Sequence, residues 1–339
     1  MELALYCPVY GYYEKERDSV GRRGDFFTSV SVGGLFGQLL AFEFAAWLEG
    51  GAVDHQRVFL VEAGAHNGRL AADILRWLRG RRPRLFEQVD YVVVEPSARR
   101  RQWQQRRLKE FGARVRWVER LEALAPEGVR GMVFSNELLD AMPVRRLGWD
   151  AGTKSWYEWG VAMRDERFAW IRLPTPAEDD LPPLPEPVRE RLPDRFVMET
   201  CPAAQTWWRT AAGILRCGRL LTFDYGYSAE GLIDPARAEG TLRAYRRHHL
   251  QPDVLADPGE LDMTAHVNFS AVRAAGEDAG LRTEFHDSQE RFLTRIAQRA
   301  WGAAADFGDW TSGMTRQFQT LTHPEHLGRV FQVLVQSRP

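Results

Sequence analysis

Hydrophobic and polar positions alternate along this chain with two different periods. Residues 35–48, LFGQLLAFEFAAWL, are apolar at nearly every helical position and predict a buried helix. Val58-Phe59-Leu60-Val61 is a short continuous apolar run, the pattern of a parallel strand covered on both faces. A glycine-containing turn at 64–68 follows, then a helix with Leu70, Ile74, Leu75 and Leu78 on one face. Tyr91-Val92-Val93-Val94 predicts a second strand. The arginine-rich stretch 97–111 predicts a helix anchored inward by Trp103, Leu108 and Phe111. Val115–Val118, Met132–Phe134 and Leu220–Phe223 supply further strands, with a helix near 202–215 between the last two. Residues 268–279 read as a helix, and 281–286 and 330–336 as late strands. Such alternation predicts an α/β fold with a right-handed, mostly parallel, doubly wound sheet.

The period changes after Pro143. Residues 144–173 alternate as antiparallel strands, with turns at Asp150-Ala151-Gly152 and Arg164-Asp165-Glu166. The following segment, 174–187, is proline-rich and acidic and reads as an exposed linker. The expected organisation is an N-terminal cap and helix (1–50), a Rossmann-like domain (51–143 and 188–339), and a β insertion with linker (144–187).

Composition narrows the function classes. Of 339 residues, 44% are hydrophobic and 27% charged, as in an ordinary globular protein. A net charge of -1 argues against nucleic acid and anionic membrane as partners. No apolar run reaches membrane-spanning length, and the first residues lack a signal-peptide pattern. Three scattered cysteines, Cys7, Cys201 and Cys217, suit reduced thiols in a cytoplasmic protein. The histidines, including His248, His249, His323 and His326, lack metal-site spacing, so no metal is expected.

Candidate chemistry gathers at strand ends. Between the first strand and its helix stands Glu62-Ala63-Gly64-Ala65-His66-Asn67-Gly68, a turn that lets backbone amides approach a ligand. A dinucleotide fingerprint beginning at Gly64 would need glycines at 66 and 69, where His66 and Arg69 stand. Glu62 and Glu95 instead suit an ammonium group and a ribose diol. Asn136 and Glu137 follow another strand at the carboxyl edge, where ligands of doubly wound sheets lie. An Asn136 N-cap opening a helix with acidic residues in its first turn explains the same residues without a ligand. Before the sheet, Pro8–Tyr13 and Gly24–Ser29 look like a loop that closes over a ligand, or else an arm packed by its tyrosines.

The ordered series PVYGYY (8–13), GDFFTS (24–29), LFGQLLA (35–41), VEAGAHNGRL (61–70) with DIL (73–75), VVVEPS (92–97), SNELLDAMPV (135–144), LLTFDYG (220–226), GTLRAYRRH (240–248) and PGELDMTAHVNFSAV (258–272) resembles the MidA family. That family includes a mitochondrial protein arginine methyltransferase that assists assembly of respiratory complex I. The resemblance implies a class I methyltransferase fold and S-adenosyl-L-methionine as cofactor. It also implies a protein substrate, such as a respiratory-complex subunit, methylated on arginine. On this reading Thr28, Ser29, Glu62, Gly64, Gly68, Glu95 and Asn136 bind the cofactor. Glu137, Asp140 and His266 carry catalysis, and Asp224, Tyr225 and His266 line the acceptor side. The aromatic content of 144–173 points to a homodimer surface. Three positions depart from the family pattern. His66 replaces a glycine, Val30-Ser31 replaces Pro-Glu, and Asn268 replaces an aspartate. The alternatives are an assembly protein that keeps the fold without turnover, and a small-molecule methyltransferase.

Overall fold

Six consecutive buried residues, Val58–Ala63, form the first strand, β1. The computed structural model describes residues 1–15, 28–50, 57–177, 181–182, 184–247 and 249–339. Gly24–Phe27, His248 and part of the proline-rich linker therefore lie outside the described residues. Strands β2 (Val89–Val94), β3 (Val115–Val118) and β4 (Val129–Asn136) join β1 in parallel, in the order β3-β2-β1-β4. The long strand Leu215–Tyr227 continues the sheet in parallel beside β4. Strands Phe331–Arg338 and Arg282–Ser288 then close that side antiparallel, with Phe331–Arg338 in between. Chain order reverses between β1 and β4, the switch point of a doubly wound sheet. Buried Val, Leu and Phe on both faces of β1, β2, β4 and the middle of Leu215–Tyr227 explain why these sequences read as continuous apolar runs.

Two glycines let the strands approach beside that switch point. Gly131 has φ 138, and a Cβ there would stand 2.2 Å from Phe59 O; Gly218 has φ 121 and faces Gly131 O at 1.9 Å. A side chain at either position would push backbones apart. That freedom is why β4 begins at Val129, three residues before the apolar run suggests.

The chain divides into two compact units. The larger comprises Glu16–Leu138, Trp207–Tyr225 and Arg273–Pro339, and contains the sheet just described. Its helices Leu35–Gly50 and Arg69–Arg81 bury the expected stripes: Leu35, Phe36, Leu39, Leu40, Phe44 and Leu48 on one, Leu70, Ile74, Leu75 and Leu78 on the other. Each such side chain contributes about 1.5–3 kcal/mol of burial free energy. Helix Ala98–Leu108 departs from expectation. Trp103 is only half-buried, whereas Gln104 and Leu108 face inward. Gln104, Leu108 and Phe111 are spaced i, i+4, i+7 and so share one face; Trp103 lies off it.

The smaller unit comprises Met1–Lys15, Leu139–Thr206 and Gly226–Val272. Its four-stranded antiparallel sheet runs in the order Arg167–Leu173, Ser155–Arg164, Arg145–Asp150, Val197–Thr200. Asp165 (φ 46) and Glu166 (φ 60) supply the two left-handed residues that the tight hairpin requires. Leu147, Trp149, Trp156, Phe196 and Met198 form one core of this unit. Leu5, Tyr12, Leu242, Ala244, Leu261 and Met263 form another. Asn268 accepts a hydrogen bond from Ala271 N at 3.1 Å and so caps the helix Phe269–Asp278, a task an aspartate performs equally well.

Candidate functional site

The turn after β1 combines left-handed backbone with close packing. Gly64 has φ 74, His66 φ 46 and Gly68 φ 77. A Cβ on Gly64 would meet Leu138 at 3.1 Å, and one on Gly68 would meet the Gln104 backbone at 3.4 Å. Asn67 Oδ1 accepts from Arg69 N at 3.2 Å, which ties the turn to the start of helix Arg69–Arg81. His66 adopts the backbone conformation a glycine favours. Its ring sits 6.4 Å from Trp103, edge toward face.

Behind the turn lies a buried polar chain that the arginine-rich sequence hides. Gln104, fully buried, donates through Nε2 to His66 O and to Glu95 Oε2, both at 2.9 Å. Its Oε1 accepts from Trp117 Nε1 at 3.0 Å. Glu95 Oε1 in turn accepts from Ser97 N at 3.0 Å. One amide thus ties the turn after β1 to the carboxylate after β2. Sequence reasoning missed Gln104, although its i, i+4 spacing to Leu108 marks the buried stripe. Glu62, at the end of β1, is buried and accepts a 2.6 Å hydrogen bond from Tyr91 OH. Burial pushes its carboxyl up to about 7, against the smaller opposing effect of the tyrosine.

At the end of β4 the chain does not enter a helix. Asn136 is the last strand residue, and Glu137 (φ 53) bends the chain away. The N-cap reading of Asn136 is therefore corrected: a left-handed residue directly after it cannot open a right-handed helix. Glu137 N donates to Phe223 O at 2.9 Å, and Asn136 Nδ2 donates to Glu137 Oε1 at 2.8 Å. Asp224, fully buried, holds Leu138 N at 3.2 Å and Tyr225 N at 2.9 Å. Tyr225 packs its ring against Phe331. Non-glycine residues in left-handed conformation cost of order 1 kcal/mol and concentrate at working sites. His66 and Glu137 stand just beyond the carboxyl ends of the adjacent strands β1 and β4.

Thr28 and Ser29 also belong to the larger unit. Thr28 caps the short helix Ser29–Val32 in a reciprocal box with Ser31, one of the residues at the position of the missing Pro-Glu. Ser29 is fully buried, and its hydroxyl donates to Gln289 Oε1 at 3.0 Å.

Asp140 and His266 are in the smaller unit. Asp140 is buried, and its backbone carbonyl accepts from Ala265 N at 2.9 Å. Tyr13 OH donates to Asp262 Oδ1 at 2.7 Å, and Tyr6 OH to Ala141 O at 2.9 Å, so the N-terminal tyrosines pack as an arm within this unit. His266 N donates to Thr241 Oγ1 at 3.1 Å. That hydroxyl and Thr241 N both donate to the buried Glu199 carboxylate. Burial, with Arg243 and Arg237 nearby, pulls His266 down to about 4, so its imidazole is neutral at physiological pH. Gly64, Gly68, Glu95, Asn136 and Glu137 are thus placed at adjoining strand ends of one unit, while Asp140 and His266 occupy the other. Among the described residues no group of three or more His, Cys, Asp or Glu is placed to hold a metal ion.

A family model described as S-adenosyl-L-methionine-dependent methyltransferase matches residues 39–286. The chain is 30% identical to the Drosophila melanogaster mitochondrial protein arginine methyltransferase NDUFAF7 homolog, across 83% of this chain and 66% of that protein. It is 29% identical to mouse mitochondrial protein arginine methyltransferase NDUFAF7, with the same coverage. The chain thus spans just under two thirds of the length of these relatives. A Burkholderia thailandensis protein crystallised with S-adenosyl-homocysteine superposes with a TM-score of 0.82 at 31% identity, covering 99% of this chain and 86% of that one.

Proposed function

The chain belongs to the MidA family of S-adenosyl-L-methionine-dependent methyltransferases, and from that membership we propose that it methylates an arginine nitrogen on a protein partner. The observation that carries this reading is the set of groups at the ends of β1, β2 and β4. There the left-handed Gly64 and Gly68, the Glu95 carboxylate, Asn136 and Glu137 stand at neighbouring positions. The donor set suits the cofactor. Asn136 Oδ1 is buried without a hydrogen-bond partner among the described residues, and an ammonium or amine group would satisfy it. Glu95 accepts from Ser97 N and Gln104 Nε2, which holds its carboxylate in place for a ribose diol. Glu62, Thr28 and Ser29 complete the cofactor set by supporting the turn and the flank of the site.

When bound, S-adenosyl-L-methionine supplies an electrophilic methyl group on a sulfonium. The chain's own residues then have to position the acceptor at about 3 Å and exclude water. An arginine acceptor enters protonated and poorly nucleophilic. We assign Glu137 to orient the guanidinium and to stabilise the charge that remains on it. Its carboxylate is held by Asn136 Nδ2, and its bend fixes the direction of the side chain. Asp140 is a second carboxylate for acceptor recognition. His266, its imidazole neutral at physiological pH, adds no positive charge of its own for an arginine acceptor to meet.

His66 keeps a glycine-like backbone with its ring beside Trp103, which supports an active enzyme over an assembly protein without turnover. A respiratory-complex subunit is the partner we propose, on the family resemblance. The setting we propose is cytoplasmic, where the thiols of Cys7, Cys201 and Cys217 would stay reduced. The relatives are named as mitochondrial. Among the described residues no helix is long and apolar enough to cross a membrane. Exposed Val161, Met163 and Phe168 on the hairpin support contact with a second copy.

The test is incubation with methyl-labelled S-adenosyl-L-methionine and host proteins, followed by amino-acid analysis. Labelled methylarginine in a protein band is expected. Label confined to small molecules, or no cofactor binding by calorimetry at millimolar ligand, overturns the reading.

A further inference from the structure

We propose that the larger unit carries a second ligand site, a pocket at the antiparallel edge of its sheet that takes a small organic anion with an aromatic body. A cavity of about 290 Å³ is lined by Glu43, Trp47, Glu284, Phe285, Arg295, Arg299 and Val335. That volume is at the lower end for ligand pockets and suits one ring with its anionic group.

Charge around the cavity is unbalanced. Among the described residues Glu43 is the carboxylate that pairs with Arg295 and Arg299; it pairs closely with Arg299, and Arg295 reaches it only at 3.9 Å. Its side chain is 2% exposed, so the charge is fixed in the wall. Glu284 is held by Arg219 at 2.7 Å and approached by Arg282 at 3.7 Å. Among the described residues four guanidiniums, those of Arg219, Arg282, Arg295 and Arg299, therefore answer these two carboxylates. The Arg295 side chain makes no hydrogen bond among the described residues, and its donor fork suits an oxyanion bidentately.

The apolar part has its own surface. Trp47 and Phe285 line the cavity, with Arg219 4.8 Å above the first ring and Arg295 4.8 Å above the second. A shift in register between Thr283 and Phe285 brings the consecutive residues Glu284 and Phe285 to one rim, where regular alternation would separate them. This pocket is distinct from the cofactor groups. Four strand spacings, roughly 19 Å, separate the edge strand from β1 in the sheet order. Along helix Gln289–Gly302, Arg295 and Arg299 lie about 9 and 15 Å from Gln289, the partner of Ser29.

The experiment is calorimetric titration of phenyl phosphate into the full chain saturated with S-adenosyl-homocysteine, so that only a second site can respond. Binding in the low millimolar range or tighter is expected. Arg295→Gln should weaken it about tenfold or more, with melting temperature and S-adenosyl-homocysteine affinity unchanged. Arg295→Lys, which keeps the charge but loses the fork, should fall between. Inorganic phosphate should bind more weakly than the phenyl ester. No heat with phenyl phosphate, equal affinity for both anions, or undiminished binding by Arg295→Gln overturns the proposal.

Discussion

The buried Glu62 and the half-buried His266 respond to pH in opposite senses. Glu62 has its carboxyl raised to about 7, so the folded state holds a proton that the unfolded chain has released above its ordinary pKa near 4.5. Its contribution to stability is fully present below that ordinary value and is lost as pH rises toward 7. Glu62→Gln keeps an acceptor for Tyr91 OH and removes the titration. The variant should gain about 1–3 kcal/mol over the parent at pH 8 and nothing at pH 4; parallel pH–stability curves in thermal melts would contradict this. His266 is held near 4, so its contribution is present above about 6.5 and is lost as pH falls toward 4. His266→Gln should flatten that acid limb, as thermal melts between those values will show. The role proposed for Glu137 is in the chemistry instead. Glu137→Gln should lower methyl transfer at least about 100-fold while S-adenosyl-homocysteine affinity changes little. A variant with the parent's kcat removes Glu137 from the mechanism.

At the scale of elements, the helix Ala98–Leu108 shows what periodicity can and cannot reveal. Its existence was legible from the pattern, and so was Leu108 as an anchor. The buried Gln104 was not, because a polar residue among arginines reads as surface until its spacing to Leu108 and Phe111 is counted. The turn after β4 was harder still. Asn-Glu-Leu-Leu fits a capped helix locally, and only the buried Asp224 on the neighbouring strand, binding Leu138 N, makes the bend the better solution. Strands β1, β2 and β4 were plainly legible, since burial on both faces leaves an apolar run, whereas Arg282–Ser288 is exposed or half-buried at most positions and offers no such run. Their extension at Gly131 depended on a neighbouring backbone that local sequence does not show. Gln104→Ala leaves His66 O, Glu95 and Trp117 each short of a partner. It should cost about 2–4 kcal/mol in denaturant melts and weaken S-adenosyl-homocysteine roughly tenfold. Intact affinity in a destabilised variant would mean that Glu95 keeps its position without the amide.

For the molecule as a whole, two units with separate hydrophobic cores make uniform behaviour on ligand binding unexpected. S-adenosyl-homocysteine at about 100 times its Kd should stabilise the folded state by about 2.7 kcal/mol. Hydrogen exchange should slow most over 58–69, 89–97 and 129–138 of the larger unit. Greater protection over 145–173 would move the cofactor site to the smaller one. The order of strands also has a consequence for biosynthesis. Phe331–Arg338 lies between Leu215–Tyr227 and Arg282–Ser288, although it leaves the ribosome after both. Until it emerges, the growing chain presents Leu220, Leu221 and Phe223 along an unpaired, aggregation-prone strand edge. Translation that stalls after Tyr227 and before Phe331 would therefore create a client for chaperones.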